Sequence, residues 1–257
     1  MHVVARVDLS KLARTLEAEG RHPELVRAIG KAAAAGSTRE DLRGALDALR
    51  SIERILDRSD GQPGAFAAGN EHTTVAGALF TQAVILYARA TTTKGDRPKL
   101  LGEAKLTPAE RAIHDEAVRL RDSAIAHFGR GEGLADGPLV REAVILSLFV
   151  LDGRPKKQVG VYTARAQHKV AFGARLAALI ETRLTQLAAR SQPLFDEVNQ
   201  ALDAAVRADP ALGRSLRDHE FDTDAFCASP AAAARLRAQF DDGAMEDMDY
   251  TVAVPRP

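Results

Sequence analysis

The sequence predicts a mainly α-helical protein with one β-hairpin inserted into it, and three observations lead there. The 257 residues are 46% apolar, but only 5% are aromatic and tryptophan is absent. The core must therefore be built from Ala, Leu, Val and Ile; Ala and Leu are among the best helix formers because they lose little side-chain entropy in a helix. Over long stretches apolar residues recur at spacings of three and four, as one buried helix face requires. One stretch departs from this, where apolar residues alternate on both sides of Asp152-Gly153, the pattern of a hairpin with a tight turn.

Taken in order, the N-terminal third reads as short helices. Asp8 caps the first, which closes at Gly20. A second runs from Pro23 to Ala35 and stops at Gly36. Ser37 and Glu40 then form a capping box before a third, whose stripe is Leu42, Leu46, Leu49, Ile52, Ile55 and Leu56. A break at 59–64 precedes a strongly apolar helix from Asn70 to Ala90, which should be buried because it is apolar over so much of its surface. After a loop at 91–98, Thr107, Pro108 and Glu110 mark a strong helix start, with the helix running to Phe128. The hairpin then pairs the alternating set Val140, Val144, Leu146, Leu148 and Val150 with Val159, Val161 and Thr163. A helix is the competing reading there, since Glu142 and Ala143 favour no strand. A helix resumes near Ala166, is restarted or kinked at Pro193, and ends near Asp209. A short helix from Ala231 to Gln239 and an acidic tail over 241–249 close the chain.

Lys+Arg and Asp+Glu are both 35, so no net charge draws in nucleic acid or membrane from a distance. Of the basic residues 27 are Arg and 8 are Lys. Arg presents a planar fork of donors that matches phosphate, although such residues serve equally on solvated helix faces. The single cysteine, Cys227, excludes an internal disulfide and a cysteine-rich zinc site. No histidine pair has helical metal-site spacing, and no phosphate-cradling loop or nucleophile elbow is present, so neither a metal nor a cofactor is expected. The N-terminus lacks a signal-peptide pattern and the apolar runs are too short to span a bilayer, which predicts a cytoplasmic chain without a membrane partner.

One constellation combines residue types suited to chemistry: Leu120-Arg121-Asp122-Ser123-Ala124-Ile125-Ala126-His127-Phe128. Histidine titrates near neutrality and serves as acid or base. Arginine stays charged and stabilises negative charge as it grows on phosphate. This run resembles the HEPN superfamily, helical proteins that include many metal-independent ribonucleases of prokaryotic toxin and phage-defence systems. Their signature is Arg, a polar residue, then His, with four to six residues between Arg and His. Tyr87-Ala88-Arg89 is a weaker echo, and the resemblance covers residues 74–128. Arg214 and His219 have similar spacing, but Ser215 stands at the second position.

The resemblance implies an HEPN-like helical core over 37–209 with the hairpin near 139–165. An N-terminal helical cap over 1–36 and a C-terminal extension over 210–257 flank it. It further implies an endoribonuclease acting as a homodimer on RNA, with an antitoxin or defence-system partner. Arg121 would hold phosphate, His127 would be the acid or base, and Asp122 would orient one of them or pair with Arg119. Arg97 and Lys99, in the loop before the helix, would touch the RNA backbone. Six residues apart on an ideal helix, Arg121 and His127 point about 120° away from each other. They converge only through the length of Arg121, a distorted helix, or a second subunit facing the same cleft, as HEPN dimers do. Two rivals stand beside this reading: a non-catalytic interaction module whose partner covers the 75–90 face, and a small-ligand or nucleotide-binding bundle.

Overall fold

The computed structural model describes residues 6–59, 71–92, 97–125, 135–137, 139–151, 154–165 and 169–241. The chain is mainly helical, with a single two-stranded antiparallel sheet among the described residues. The first helix, α1 (Leu9–Ala18), starts as its sequence requires: the Asp8 carboxylate accepts from the Lys11 amide at 2.9 Å. It ends in a left-handed turn at Gly20 (φ 67°), where the Gly20 amide donates to the Glu17 carbonyl and the Arg21 amide to the Leu16 carbonyl. Glycine takes that conformation without the strain a Cβ would bring.

The break expected at Gly36 is absent. A single helix, α2 (Pro23–Ser59), runs through it, and Ser37 does not cap a helix but donates to the Ala34 carbonyl within one. Gly36 costs about 1 kcal/mol in a helix interior. Around it Ala34, Ala35, Thr38, Asp41 and Leu42 are all buried, and burial of Leu42 alone, at about 1.5–3 kcal/mol, is enough to outweigh that cost. Helix α3 (Glu71–Thr92) is buried along Ala76, Phe80, Ala83, Val84 and Tyr87, as its composition predicts. A Cβ on Gly44 would lie 3.0 Å from Leu86 Cδ1, so the missing side chain lets α2 and α3 approach closely.

Helix α4 (Pro108–Arg119) has the expected capping box: the Glu110 amide donates to Thr107 Oγ1 at 3.3 Å and the Thr107 amide to Glu110 Oε2 at 2.8 Å. It does not continue as an α-helix to Phe128. From Leu120 to Ile125 it widens into a π-helix, and residues 126–134 lie outside the described residues. Strands β1 (Val140–Leu151) and β2 (Arg154–Arg165) pair along their whole length, from Val140 opposite Arg165 to Leu151 opposite Arg154. Two residues remain between the strands, as a tight Asp-Gly turn demands; the turn itself lies outside the described residues.

Helix α5 (Val170–Ala208) passes through Pro193 without restarting. Three short helices follow: α6 (Pro210–Ser215), α7 (Thr223–Phe226) and α8 (Pro230–Asp241), the last at the helix expected over 231–239. The acidic tail beyond Asp241 lies outside the described residues. No described helix is long and apolar enough to cross a membrane.

The chain divides into two compact units. The first takes Met1–Glu40, Gly95–Leu100 and Ala188–Pro257, with a core of Leu12, Leu16, Leu25, Ile29, Val198 and Leu212. A satellite cluster in the same unit holds Cys227, Ala232, Ala233 and Leu236. The second takes Asp41–Lys94 and Leu101–Leu187. Leu42, Leu49, Phe80, Phe172, Leu176 and Ile180 are buried in it, with Phe80 edge-on to Phe172 at 6.2 Å between ring centroids.

Candidate functional site

The site is built on the end of α4. The capping box fixes where that helix begins, and Ala117 and Leu120, both fully buried, fix the face it turns inward. The π segment contains neither proline nor glycine, so its widening has a tertiary cause. Leu120 stays in the core while the next residue reaches back to α3. Single π turns inside helices occur frequently at functional sites.

Arg121 is held there by two partners. Its Nε donates to Asp122 Oδ1 at 2.7 Å and its Nη1 to Thr92 Oγ1 at 3.0 Å. Thr92 is itself fixed by donating to the Ala88 carbonyl at 2.7 Å, in the last turn of α3. The side chain of Arg121 remains one-third exposed and that of Asp122 about half exposed. Asp122 thus pairs with Arg121, its neighbour in the chain. His127 lies outside the described residues.

Arg97 donates to Ser37 Oγ at 3.3 Å, and Lys99 is exposed; both belong to the first unit, whereas Arg121 and Asp122 belong to the second. The weaker echo at Tyr87 and Arg89 has structural partners. Arg89 grips both carboxylate oxygens of the buried Asp41, which holds its guanidinium pKa above the ordinary value. His219, of the second Arg-His pair, bonds the Ser215 carbonyl and Thr15 Oγ1, both at 3.2 Å, tying α1 to the end of α6.

Sequence reasoning missed a buried polar cluster beside this helix. The Tyr87 hydroxyl lies 2.9 Å from His114 Nδ1, with both side chains buried. Arg183, fully buried, donates from Nη1 to the Gly102 carbonyl at 3.1 Å and to Gln186 Oε1 at 2.9 Å. Burial pushes the Tyr87 phenol up to about 12, against the opposing pull of the Arg183 charge. Nothing in a lone sequence marks these three residues as neighbours, because they come from α3, α4 and α5.

A third set ties the hairpin base to the helices. Buried Glu116 accepts from the Ala135 amide at 3.0 Å and pairs with Arg175 at 3.6 Å, and Arg175 also reaches Asp136 at 3.4 Å. Lys169 donates to the Gly137 carbonyl. No group of three or more potential metal ligands is found among the described residues.

Chemically, the described site offers a permanent cation, fixed in orientation and open to solvent on one side. That suits a tetrahedral anion such as a phosphodiester better than acid–base work. No family model, curated protein or solved structure matches this chain.

Proposed function

We propose that the chain is a metal-independent endoribonuclease of the HEPN type, acting as a homodimer in a bacterial toxin–antitoxin or phage-defence system. The observation that supports this most is the presentation of Arg121 on a π turn, oriented by Asp122 and Thr92 and still accessible. In this reading Arg121 grips the scissile phosphate and stabilises the charge that grows on it. His127 takes the proton from the ribose 2′-hydroxyl or returns one to the departing 5′-oxygen. The 2′-oxygen bonds to phosphorus as the phosphorus–5′-oxygen bond breaks. Attack comes from within the RNA, so no metal-bound water is required.

The test is cleavage of a labelled RNA by the purified protein in EDTA. Wild type cleaves, with an optimum near neutral pH. Arg121→Ala and His127→Ala each lose about 100- to 10,000-fold in rate while keeping the wild-type circular dichroism. Cleavage that survives His127→Ala, or that chelator abolishes, refutes the mechanism. The non-catalytic interaction module is favoured by one observation, the exposed apolar hairpin; a folded wild type without nuclease activity selects it.

A further inference from the structure

The hairpin has a composition that water does not favour. The pairing register places Val144, Leu146, Leu148 and Val150 of β1 on the same face as Val159 and Val161 of β2. These six residues are 53–75% exposed. Among the described residues, no other element packs extensively on either strand. The opposite face is mixed: it exposes Ile145, Phe149, Leu151 and Tyr162, but interrupts them with Ser147 opposite Gln158, Lys156 opposite Phe149 and Arg154 opposite Leu151. A two-stranded hairpin alone is marginal in water, and an apolar face needs something packed against it.

We propose that this apolar face is where two copies of the chain associate, stacked face to face about a two-fold axis. The area fits. Each of the six side chains leaves on the order of 100 Å² to be covered. Two copies would then bury about 1,200 Å², the lower end of what a specific, stable interface requires. A single copy would expose about 600 Å² in one patch, the upper limit for ordinary monomers.

The face is also self-complementary. It is apolar along its centre, with Glu142 near the base of the hairpin and Lys157 near the tip. In an antiparallel, tip-to-base stacking the same patch serves both partners, as a two-fold contact requires. Growth of the sheet edge to edge is the less favourable route. The outer edge of β2 carries Pro155, Lys156 and Lys157, which blunt it. Pairing through the β1 edge would leave the apolar face in water. The inference stands on the hairpin alone and holds whether or not the chain cleaves RNA.

Sedimentation velocity on the full chain, from about 0.5 to 50 μM (a range in which interfaces of this size associate), tests it. Wild type is expected to sediment as a dimer at the upper end. Val159→Glu and Leu148→Glu are expected to sediment as monomers, and Gln158→Glu, on the opposite face, as wild type. Val159→Thr keeps the branched shape and strand preference, and weakens association about tenfold, equivalent to about 1.4 kcal/mol. Val159 lies on β2, so its sensitivity separates face stacking from pairing through the β1 edge. A wild type that is monomeric throughout overturns the proposal, as does a dimer that tolerates both Val159 variants. Dissociation by Gln158→Glu equal to that by Val159→Glu also overturns it.

Discussion

Tyr87 is fully buried and bonded to His114, yet carries a group that can ionise, so its titration reports directly on the packing around α4. Burial raises the phenol from its ordinary value near 10 to about 12. Below pH 10 the phenol is neutral in the folded and unfolded chains alike, and its contribution to stability is complete. Between pH 10 and about 12 only the unfolded chain ionises, so stability falls as pH rises toward the folded value. At about 1.4 kcal/mol per pH unit, the loss is on the order of 2–3 kcal/mol. Tyr87→Phe removes the ionisable group. At pH 8 the variant is less stable by about 1–3 kcal/mol, because a buried hydrogen bond to His114 is lost. By pH 12 that deficit shrinks by roughly 2–3 kcal/mol, as only wild type is penalised. Urea denaturation across pH 8–12, with phenolate absorbance followed in parallel, measures both. The phenolate signal missing from Tyr87→Phe should appear near pH 12 in wild type. Arg183→Met should move it higher still, because the Arg183 charge pulls it down. A missing signal centred near pH 10, or denaturation midpoints separated by a constant amount at every pH, would refute the reasoning.

Other outcomes follow from the same structure. Gly36→Ala should stabilise the protein by about 0.5–1 kcal/mol in urea denaturation, since Gly36 lies inside a helix and a Cβ there meets nothing within 4 Å. A loss of stability would mean that the helix ends there after all. Thr107→Ala should cost about 1 kcal/mol, because the Glu110 amide loses its capping oxygen, and Thr107→Ser should restore it. Asp122→Asn keeps an acceptor beside Arg121 but removes its charge, so RNA cleavage should fall roughly tenfold, less than in Arg121→Ala. Equal losses in the two would place Asp122 in the chemistry itself.

Elements marked at both ends by local chemistry were legible in the sequence. The start of α4 needs only Thr107, Pro108 and Glu110, whose contacts are all within three residues. The end of α1 needs only Gly20, and the hairpin needs only its alternation and its turn. Gly36 misled because it is a local signal of a break, whereas the helix runs through it. Ala34, Ala35, Thr38 and Leu42 are all buried, and burial of a helix face outweighs the weak local preference of one glycine. The π segment was invisible for the same reason, since no residue type within Leu120–Ile125 encodes it.

For the candidate site, the motif named Arg121 and Asp122, but not what makes Arg121 usable. Its second anchor, Thr92, is 29 residues away in sequence. Without Thr92 and the wider turn, Arg121 would be an ordinary surface residue paired with its neighbour, a contact worth little in water. With them, the guanidinium is held at its Nε–Nη2 edge by Asp122 and at Nη1 by Thr92. Arg89 is held through the same Nε–Nη2 edge of its fork, by both carboxylate oxygens of Asp41. What differs is the carboxylate: Asp41 is buried on α2, so Arg89 braces α3 against α2, whereas Asp122 is the half-exposed neighbour of Arg121. Thr92→Val should separate the contributions. It leaves the Asp122 pair intact, removes the 3.0 Å anchor, and should lower RNA cleavage without the loss of stability that removing Asp41 would bring. Unchanged cleavage in that variant would show that Asp122 alone positions Arg121.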